Sequence, residues 1–357
     1  MAVADRIDTR IVFFDPICPA PYSRATLDTR ALGGSEASAV RVAEAIDAVV
    51  IQHCRRVAEG RYLPPQPLPD TEHVVVLRDA RALKQLHQWF PRARFHLWLH
   101  DRVAAGSSRS RWLTQADAHL ADTTLVCVSE FLRRNVEGAI RALRSRDRMQ
   151  TRVIFNPIDE DLAPGGEIDR DKLVFLSSPN KGLSYTLTAF RAIRRALPSL
   201  RLCVANPGYR DLAPSAMEGV EWLGALPPAQ AMREARSALC GFMLNFVLPE
   251  TFGLVFAEAN ALGTPVLAHD CGAAREVLHA NNPVLPVLAT QRLLAGAIEI
   301  SGTRPRGWLS SAGWKAGAFD EYLDVLTRWR DGARPLVAAD QRFRVSQVAR
   351  EWHALLS

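Results

Sequence analysis

The sequence has 357 residues, which is long for one ordinary domain and predicts about two, each able to bury its own core. No apolar run approaches the ~18–20 residues that span a bilayer, and residues 1–6 lack the basic-then-apolar pattern of a signal peptide. We therefore expect a cytoplasmic protein without a membrane-spanning helix. The formal net charge of +6 favours an anionic partner, and a nucleotide diphosphate, a membrane surface and a nucleic acid all qualify.

The six cysteines stand singly, with no C-x-x-C pair and no histidine cluster at zinc spacing. This pattern predicts small buried thiols in a reducing compartment. The residues concerned are Cys18, Cys54, Cys127, Cys203, Cys240 and Cys271.

The first half of the chain alternates strand-like and helix-like segments, which predicts a parallel sheet. A buried strand at Ile11–Phe14 leads into a loop, and Gly33-Gly34-Ser35-Glu36 then opens an amphipathic stretch from Ala37 to Val49. Further strands are predicted at Val74–Leu77, Phe95–Leu99, Thr124–Val128 and Val153–Phe155, with helices at Ala80–Trp89 and Glu130–Arg144.

A linker from Asn156 to Gly166 follows, and the alternation then restarts. Strands are predicted at Leu173–Leu176, Leu202–Ala205, Val220–Leu223, Gly241–Leu244 and Pro265–Ala268, and helices at Tyr185–Leu197, Ala229–Ala238, Ala312–Arg328 and Val345–Leu356. Two Rossmann-like halves explain this restart most economically. We assign 1–165 to the first domain, 166–330 to the second, and 331–357 to a C-terminal helix that returns to the first.

Glu250 and Glu258 lie eight residues apart across a loop-to-helix junction. Pro249 and Gly253 mark a turn, and the apolar positions from Leu254 onward repeat at helical spacing. A helix N-terminus favours a bound phosphate, and carboxylates on either side of it are good acceptors for sugar hydroxyls. Taken alone, the two residues also fit a helix-start acid and a solvated glutamate.

The residues around this pair favour the first interpretation. The run Pro-Glu-x-Phe-Gly-Leu-x-x-x-Glu-Ala from Pro249, followed by Ala-x-Gly-x-Pro-Val, resembles the retaining GT-B glycosyltransferases of family 4 and group 1. The resemblance is greatest to bacterial mannosyl- and glucosyltransferases of glycolipid, lipopolysaccharide and polysaccharide biosynthesis. It implies an α/β GT-B fold, in which two Rossmann-like domains face a central cleft.

The resemblance also implies roles for particular residues. Glu250 would orient the transferred sugar and Glu258 would bind the ribose, with the backbone between them holding the diphosphate. The expected donor-binding set is Gly34, Ser178, Lys181, Gly224, Thr251, Phe252, Gly253, Leu254 and Glu258.

The first domain supplies further candidates at predicted strand and helix ends. Gly34 and Glu36 lie where a helix opens, which fits a sugar or phosphate platform as well as a plain turn. His100 and Asp101 follow a strand, at the edge where open α/β sheets place ligands. The resemblance assigns His100 to the transferred sugar, with Glu36 and Asp101 on the acceptor side. A lone histidine is also often structural.

Lys181 precedes a predicted helix in the loop Ser177–Gly182. It is expected to face the diphosphate, although a lysine there is also typical of solvated surface. Many members of the resembled family carry an arginine a few residues earlier, where this chain has serines. Ser178 is the candidate to replace part of that second cation.

Two further patterns in the sequence bear on this interpretation. Asp159-Glu160-Asp161 matches the metal-binding Asp-x-Asp of the other large glycosyltransferase fold, but it falls in the predicted linker, so no metal or other cofactor is expected. The basic run from Arg133 to Arg152 fits a solvated helix face or a peripheral contact with an anionic membrane. Nucleic-acid binding is not expected, because interleaved stacking aromatics are absent.

The sequence thus predicts a retaining hexosyltransferase that moves a sugar from a UDP- or GDP-linked donor to a hydroxyl of a glycan or lipid-linked acceptor. It would be cytoplasmic, with peripheral contact at the inner face of the membrane as the alternative to a purely soluble state. Two rival functions stay open: a nucleotide-sugar epimerase on the same fold, and a catalytically silent nucleotide-sugar-binding partner. A third possibility is a basic nucleic-acid-binding protein, which predicts steeply salt-dependent affinity for oligonucleotides.

Overall fold

The structure is a computed structural model that describes residues 7–205, 216–288, 291, 317 and 319–357. It divides into two compact units. Unit 1 comprises Met1–Leu27, Leu32–Glu160 and Gln341–Ser357, and unit 2 comprises Asp28–Ala31 and Asp161–Asp340.

Unit 1 is built on a seven-stranded parallel sheet with the order β3-β2-β1-β4-β5-β6-β7. Its strands are β1 (Ile11–Asp15), β2 (Val49–Gln52), β3 (Tyr62–Leu63), β4 (His73–Leu77), β5 (Arg94–Leu99), β6 (Thr124–Cys127) and β7 (Gln150–Val153). Its helices are α1 (Arg24–Thr29), α2 (Gly34–Ala45), α3 (Leu83–Trp89), α4 (Ser108–Ala116) and α5 (Glu130–Ile140), together with the C-terminal helix Val345–Leu355. The last two residues of α1 belong to the short segment Asp28–Ala31 of unit 2.

The central strands of unit 1 are buried on both faces, as continuous apolar runs in a parallel sheet require. The C-terminal helix packs in the same unit and brings Trp352 against Phe13 of β1 and Trp98 of β5, with ring centroids 5.5 Å and 4.9 Å apart. Buried aromatic pairs in edge-to-face contact add about 0.5–1.5 kcal/mol beyond their burial. The last helix is therefore part of the core of unit 1.

Unit 2 repeats the plan with a six-stranded parallel sheet, ordered β10-β9-β8-β11-β12-β13. The strands are β8 (Asp169–Phe175), β9 (Arg201–Ala205), β10 (Val220–Gly224), β11 (Ala238–Met243), β12 (Val266–His269) and β13 (Val284–Leu285). The helices are α6 (Leu183–Arg194), α7 (Pro228–Arg236), α8 (Leu254–Ala261), α9 (Ala274–Val277) and α10 (Asp320–Arg328); the C-terminal helix of unit 1 is α11.

Each sheet reverses its direction of growth at one place. In unit 1 the reversal falls between β1 and β4, and in unit 2 it falls between β8 and β11. Crossover helices diverge at such a switch point and leave a crevice at the carboxyl ends of the two strands, which is where open α/β sheets bind ligands. The two sheets therefore predict one ligand-binding edge in each unit.

Most sequence-predicted elements are present, with three informative differences. The predicted amphipathic stretch to Val49 contains a helix that ends at Ala45 and a separate strand, β2, that starts at Val49. The last strand of unit 1 is Gln150–Val153 rather than Val153–Phe155, because this edge strand is half-exposed and polar. Of the predicted helix Ala312–Arg328, the structure has Asp320–Arg328, and residues 312–316 and 318 lie outside the described residues.

The expectation that all six cysteines are unpaired was wrong for two of them. Cys18, after β1, and Cys54, after β2, form a disulfide with a Cα–Cα distance of 6.1 Å. Their sequence separation of 36 hides a contact that arises because β1 and β2 are neighbours in the sheet. The remaining four form no disulfide among the described residues, and Cys127, Cys203 and Cys240 are buried.

Across the part of the chain that the structure describes, no helix combines the length and the apolar character needed to cross a membrane.

Candidate functional site

The switch point of unit 2 brings two sequence-predicted residues into direct contact. Lys181 follows β8, Glu250 follows β11, and the Lys181 Nζ lies 2.7 Å from Oε2 of Glu250. The Glu250 side chain is 6% exposed, whereas that of Lys181 keeps 38% of its surface exposed. The carboxylate is thus fixed inside the edge of the sheet, and the partly exposed lysine side chain lies beside it.

Lys181 is placed by a tight loop before α6. Its backbone N–H donates to the Ser178 carbonyl at 2.9 Å, and Gly182 then takes a left-handed conformation with φ of 90°. A Cβ on Gly182 would lie 2.2 Å from the backbone oxygen of Leu244, so only glycine fits. The loop after β8 is therefore packed directly against the backbone that follows β11.

Glu250 is placed by the loop that follows β11. The side chain of buried Asn245 accepts hydrogen bonds from the amides of Val247 and Leu248 and donates to the Leu248 carbonyl at 2.5 Å. The Glu250 carbonyl then accepts from the amide of Ala273, at 2.8 Å. The loop before Glu250 is thus fixed by side-chain-to-backbone bonds rather than by a strand.

Gly272 closes the other side of this loop. It pairs with Glu250 in an isolated parallel bridge and has φ of 79°. A Cβ at this position would lie 2.2 Å from the Glu250 carbonyl oxygen and 2.5 Å from its nitrogen. The backbone of Glu250 is therefore held in place by a contact that only glycine permits.

The helix α8 begins directly after this loop. Gly253 is its N-cap, Leu254 is its first residue, and Phe252 before the cap is buried. Thr251 and Glu258 are half-buried, Thr251 in the loop and Glu258 one turn into the helix. The positive end of the helix dipole therefore opens between the two glutamates, where it favours an anion.

Two other residues of the predicted donor-binding set, Ser178 and Gly224, are less directly linked to the Lys181–Glu250 pair. The Ser178 hydroxyl is buried and donates to Oδ1 of Asn180 at 2.5 Å, so this loop uses it internally. Gly224 ends β10, an edge strand two positions from β8 in the sheet, and is exposed with φ of 65°.

The switch point of unit 1 carries a buried cluster of Asp15, Tyr22, Glu36 and Arg78, called here the Arg78 cluster. Arg78 Nη2 donates to Oε1 of Glu36 at 2.8 Å and lies 3.4 Å from both carboxylate oxygens of Asp15. The Tyr22 hydroxyl donates to Oδ2 of Asp15 at 3.0 Å. Gly34, the first residue of α2, lies two residues before Glu36.

His100 and Asp101 follow β5 at the same edge. His100 is buried, its ring centroid is 4.6 Å from that of Trp98, and burial together with nearby Arg78 lowers its pKa to about 3. It is therefore neutral at pH 7. Asp101 is half-exposed and forms an ion pair with Arg109 at 2.6 Å.

The Asp-x-Asp motif does not form a cluster. Asp159 pairs with Arg41 of α2 at 2.6 Å, and Glu160 accepts hydrogen bonds from the backbone and hydroxyl of Ser346. Among the described residues there is no group of three or more histidine, cysteine, aspartate or glutamate side chains that would hold a metal ion. The expectation of a metal-independent site stays a prediction.

The basic run of unit 1 is partly neutralised. Arg133 pairs with Glu130 and Glu137 along α5, and Arg148 pairs with Asp122. Exposed ion pairs of this kind contribute about 0–1 kcal/mol each, but they reduce the local positive charge that a membrane would meet.

Sequence reasoning missed the residues that hold the candidates in place. Arg78 follows the predicted strand Val74–Leu77, and Gly272 follows the predicted strand Pro265–Ala268. Both residues come shortly after a predicted strand, which is the same signal that identified His100. Asn245 follows the last strand before Glu250 in the same way.

Residues 170–299 match the family model described as "Glycosyl transferases group 1". Two curated relatives are similar over part of the chain. A phosphatidyl-myo-inositol mannosyltransferase of Mycobacterium leprae is 34% identical over 104 residues, 28% of each protein. An alpha-maltose-1-phosphate synthase of Mycolicibacterium smegmatis is 25% identical over 209 residues, 51% of this chain and 52% of the relative. The matches thus span about half or less of these relatives.

Solved structures are similar over nearly the whole chain. Anabaena Alr3699/HepE, crystallised with UDP, has a TM-score of 0.61 at 16% identity and covers 98% of this chain and 99% of its own. Sucrose-phosphate synthase from Thermosynechococcus elongatus has a TM-score of 0.58 at 16% identity, with 97% and 98% covered. These values confirm the predicted fold. The chain has the GT-B fold, and the residues that match the group 1 glycosyl transferase model lie in its second unit.

Proposed function

We propose that this protein is a retaining glycosyltransferase that transfers a hexose from a UDP- or GDP-linked donor to a hydroxyl of a glycan or a lipid-linked acceptor. One observation carries the proposal. Lys181 and Glu250 meet at 2.7 Å at the switch point of unit 2, beside the start of α8 and within the residues that match the group 1 family.

The proposed chemistry follows from charge. As the bond between the anomeric carbon and the phosphate oxygen breaks, negative charge grows on the diphosphate. An accessible ammonium at Lys181 and the positive end of α8 would stabilise that charge. The amides between Thr251 and Leu254 would add hydrogen bonds to the phosphate oxygens.

The carboxylates take separate roles in the proposal. Glu250, fixed and buried, would accept hydrogen bonds from the transferred sugar, and Glu258 would accept them from the ribose. His100 of unit 1 is neutral at pH 7 and would contact the sugar by hydrogen bonding rather than by charge. Ser178 and Gly224 are proposed as minor contacts to the donor.

A front-face displacement fits these groups. The acceptor oxygen would form the new bond to the anomeric carbon on the side that the diphosphate leaves, and a phosphate oxygen would take the acceptor proton. Configuration is then retained, and no protein nucleophile is assigned.

The names of similar proteins support the donor class. Alr3699/HepE was crystallised with UDP-glucose and with UDP and glucose, and two of the curated relatives are mannosyltransferases. A nucleotide sugar is therefore the first donor class to test. The relatives named for phosphatidyl-myo-inositol also support a lipid-linked acceptor.

The test is a donor panel. The full chain is incubated with UDP- and GDP-linked glucose, mannose, galactose and N-acetylglucosamine, with and without a bacterial lipid extract, and released nucleotide and glycosylated product are measured. Acceptor-dependent release with one donor supports the proposal. Donor binding without release indicates a silent binding partner, and conversion of the donor to its epimer indicates an epimerase; either outcome would overturn it.

Donor binding is measured separately by thermal shift. A ligand at a hundredfold excess over its dissociation constant stabilises by about 2.7 kcal/mol, which corresponds to a rise in Tm of roughly 5–10 °C for a domain of this size. The wild type is compared with Glu258→Ala, a variant that should show a smaller rise in Tm with every donor that carries a ribose.

Metal independence, a cytoplasmic location and peripheral membrane contact through Arg133–Arg152 are parts of the same proposal. Transfer that persists in EDTA supports metal independence. Flotation of the chain with anionic but not neutral vesicles supports the membrane contact, and equal recovery with both vesicle types would contradict that contact.

A further inference from the structure

Unit 1 has a ligand-binding edge of its own at the switch point between β1 and β4. The Arg78 cluster occupies it, and three of its four members were absent from the sequence-predicted site. Asp15 ends β1, Arg78 directly follows β4, and Glu36 lies in the first turn of α2. Three neighbouring elements therefore converge on one guanidinium group.

The guanidinium of Arg78 meets both carboxylates of the cluster through Nη2, while its buried Nε has no hydrogen-bond partner among the described residues. It bonds to Glu36 at 2.8 Å and faces both oxygens of Asp15 at 3.4 Å. Burial lowers the pKa of Arg78, but the charges of Glu36 and Asp15 outweigh burial and raise that pKa above its ordinary value. Arg78 is thus held by its own unit through Nη2, and two carboxylates oppose its single positive charge.

The cluster as a whole carries an excess of negative charge. Two carboxylates face one guanidinium, which leaves a formal charge of about −1. Burial and the charges of Asp15 and Glu36 raise the pKa of Tyr22 well above its ordinary value, so the phenol adds no positive charge and stays neutral. His100 at the same edge is also neutral at pH 7. A locally acidic edge on a chain of net charge +6 is a specific feature of unit 1.

The backbone is shaped to keep this arrangement. Arg78 has φ of 64°, a left-handed conformation that costs a non-glycine residue about 1–3 kcal/mol and is concentrated at functional sites. Its amide bonds to the carbonyl of Trp98 at 2.9 Å. A Cβ on Gly33 would lie 2.2 Å from Oε2 of Glu36, so the glycine before α2 leaves room for this carboxylate.

This geometry discriminates between ligands by charge. The side chains of Arg78 and Glu36 keep 13% and 9% of their surface exposed, so a ligand reaches this pair while Asp15 stays fully buried. A phosphate or carboxylate bound at this pair would be repelled by Glu36 and Asp15 and would compete with Glu36 for Nη2 of Arg78. A hydroxyl donates to Glu36 without disturbing the pair.

We propose that the Arg78–Glu36 pair is the specificity-determining element of unit 1, and that it selects an acceptor whose bound ring is uncharged and hydroxyl-bearing at this edge. The inference rests on the proposed function, because it assigns the second substrate of the transfer to the unit that does not hold the diphosphate.

The experiment compares sugars that differ only by one phosphate group. The full chain is first saturated with the nucleoside diphosphate that it binds. Affinities for glucose and glucose 6-phosphate, mannose and mannose 6-phosphate, and myo-inositol and its 1-phosphate are then measured by calorimetry. We expect at least one neutral member to bind at least tenfold more tightly than its phosphate. Glu36→Gln should reduce that ratio at least tenfold, because it removes the charge that holds Arg78.

Arg81→Gln is the matched control, since Arg81 lies three residues further on, is half-exposed and pairs with Asp79. It should leave the ratio unchanged. Equal or tighter binding of the phosphates by the wild type, no binding of any neutral sugar, or an unchanged ratio in Glu36→Gln would each overturn the inference. A chain that binds no nucleoside diphosphate would instead contradict the proposed function, so the two failures are distinguishable.

Discussion

The two switch points of this chain share a topology but treat their cations in opposite ways. In unit 2, Lys181 pairs with Glu250 and keeps 38% of its side chain exposed. In unit 1, Arg78 meets two carboxylates and is largely buried. The same strand order therefore supports one edge with an accessible positive charge and one edge with excess negative charge.

The difference predicts different ligands for the two sheets, because their strand orders correspond while the side chains at their strand ends differ. An accessible ammonium next to a helix N-terminus favours a phosphate, since both contribute positive potential. A guanidinium already neutralised by buried carboxylates favours hydroxyl groups. The proposals for the donor and the acceptor both rest on this contrast.

The largest expected effect comes from removing the buried cation. Arg78→Met should leave Asp15 and Glu36 buried and unpaired, which destabilises unit 1 by about 3–5 kcal/mol. Chemical denaturation with a probe in each unit measures it, and Arg148→Met, which breaks an ion pair with Asp122 in which both side chains are exposed, should cost less than about 1 kcal/mol. Equal costs for the two variants would contradict the special status of Arg78.

Acid should destabilise unit 1 more than unit 2. Burial lowers the pKa of His96 and His100 in unit 1 to about 3, and that of His269 in unit 2 to about 4. The unfolded chain binds these protons near pH 6.5, so the unfolding free energy should fall as the pH drops below 6.5. At pH 5 the loss is about 2 kcal/mol for each histidine.

The measurement is the denaturation midpoint of each unit between pH 5 and 7.5. His96→Asn should make the denaturation midpoint of unit 1 less dependent on pH. His53→Asn, which replaces an exposed histidine of the same unit, should not change it. A midpoint that is independent of pH in the wild type would refute the expected burial of neutral histidines.

The partly exposed cation of unit 2 should matter more for turnover than for folding. Lys181→Met is expected to lower kcat by about 100–1000-fold, the usual effect of removing one preorganised group that stabilises transition-state charge. Its unfolding free energy should fall by about 1–3 kcal/mol, less than in Arg78→Met, because a single buried carboxylate, Glu250, loses this ion pair. Lys84→Met, at an exposed position on α3, is the control and should leave kcat unchanged.

The smallest effect is expected from the backbone that supports Glu250. Gly272→Ala introduces a Cβ 2.2 Å from the Glu250 carbonyl oxygen at a left-handed φ, and should destabilise unit 2 by about 1–3 kcal/mol while lowering turnover. Gly138→Ala in α5 meets no atom within 4 Å and should stabilise unit 1 by about 0.5–1 kcal/mol. Similar results for both glycines would show that the contact at Gly272 is unimportant.

The sequence predicted central strands well and edge strands poorly. Ile11–Phe14 and Val74–Leu77 are continuous apolar runs because both faces of a central parallel strand are buried. The edge strands β3 and β7 lack that signal, since one is two residues long and the other is polar and half-exposed. The strand β2 was merged with the preceding helix because no breaker residue separates them.

The sequence predicted those site residues that belong to a recognisable motif or that follow a predicted strand, but not the contacts between them. The sequence identified Glu250 and Lys181 individually, but not their ion pair, because the contact spans 69 residues. The disulfide between Cys18 and Cys54 is equally invisible, since it depends on which strands become neighbours. Arg78 escaped notice because a single arginine among 40 carries no signal until Asp15 and Glu36 are placed beside it.

The central claim is that Glu250 acts on the reacting sugar while its neighbours hold the nucleotide. The most direct test compares Glu250→Ala with the wild type, using kcat for the donor found in the panel and the dissociation constant for the matching nucleoside diphosphate. We predict that kcat falls at least a hundredfold and that the dissociation constant changes by less than about threefold. An equal loss in both quantities would contradict the assignment of Glu250 to the sugar.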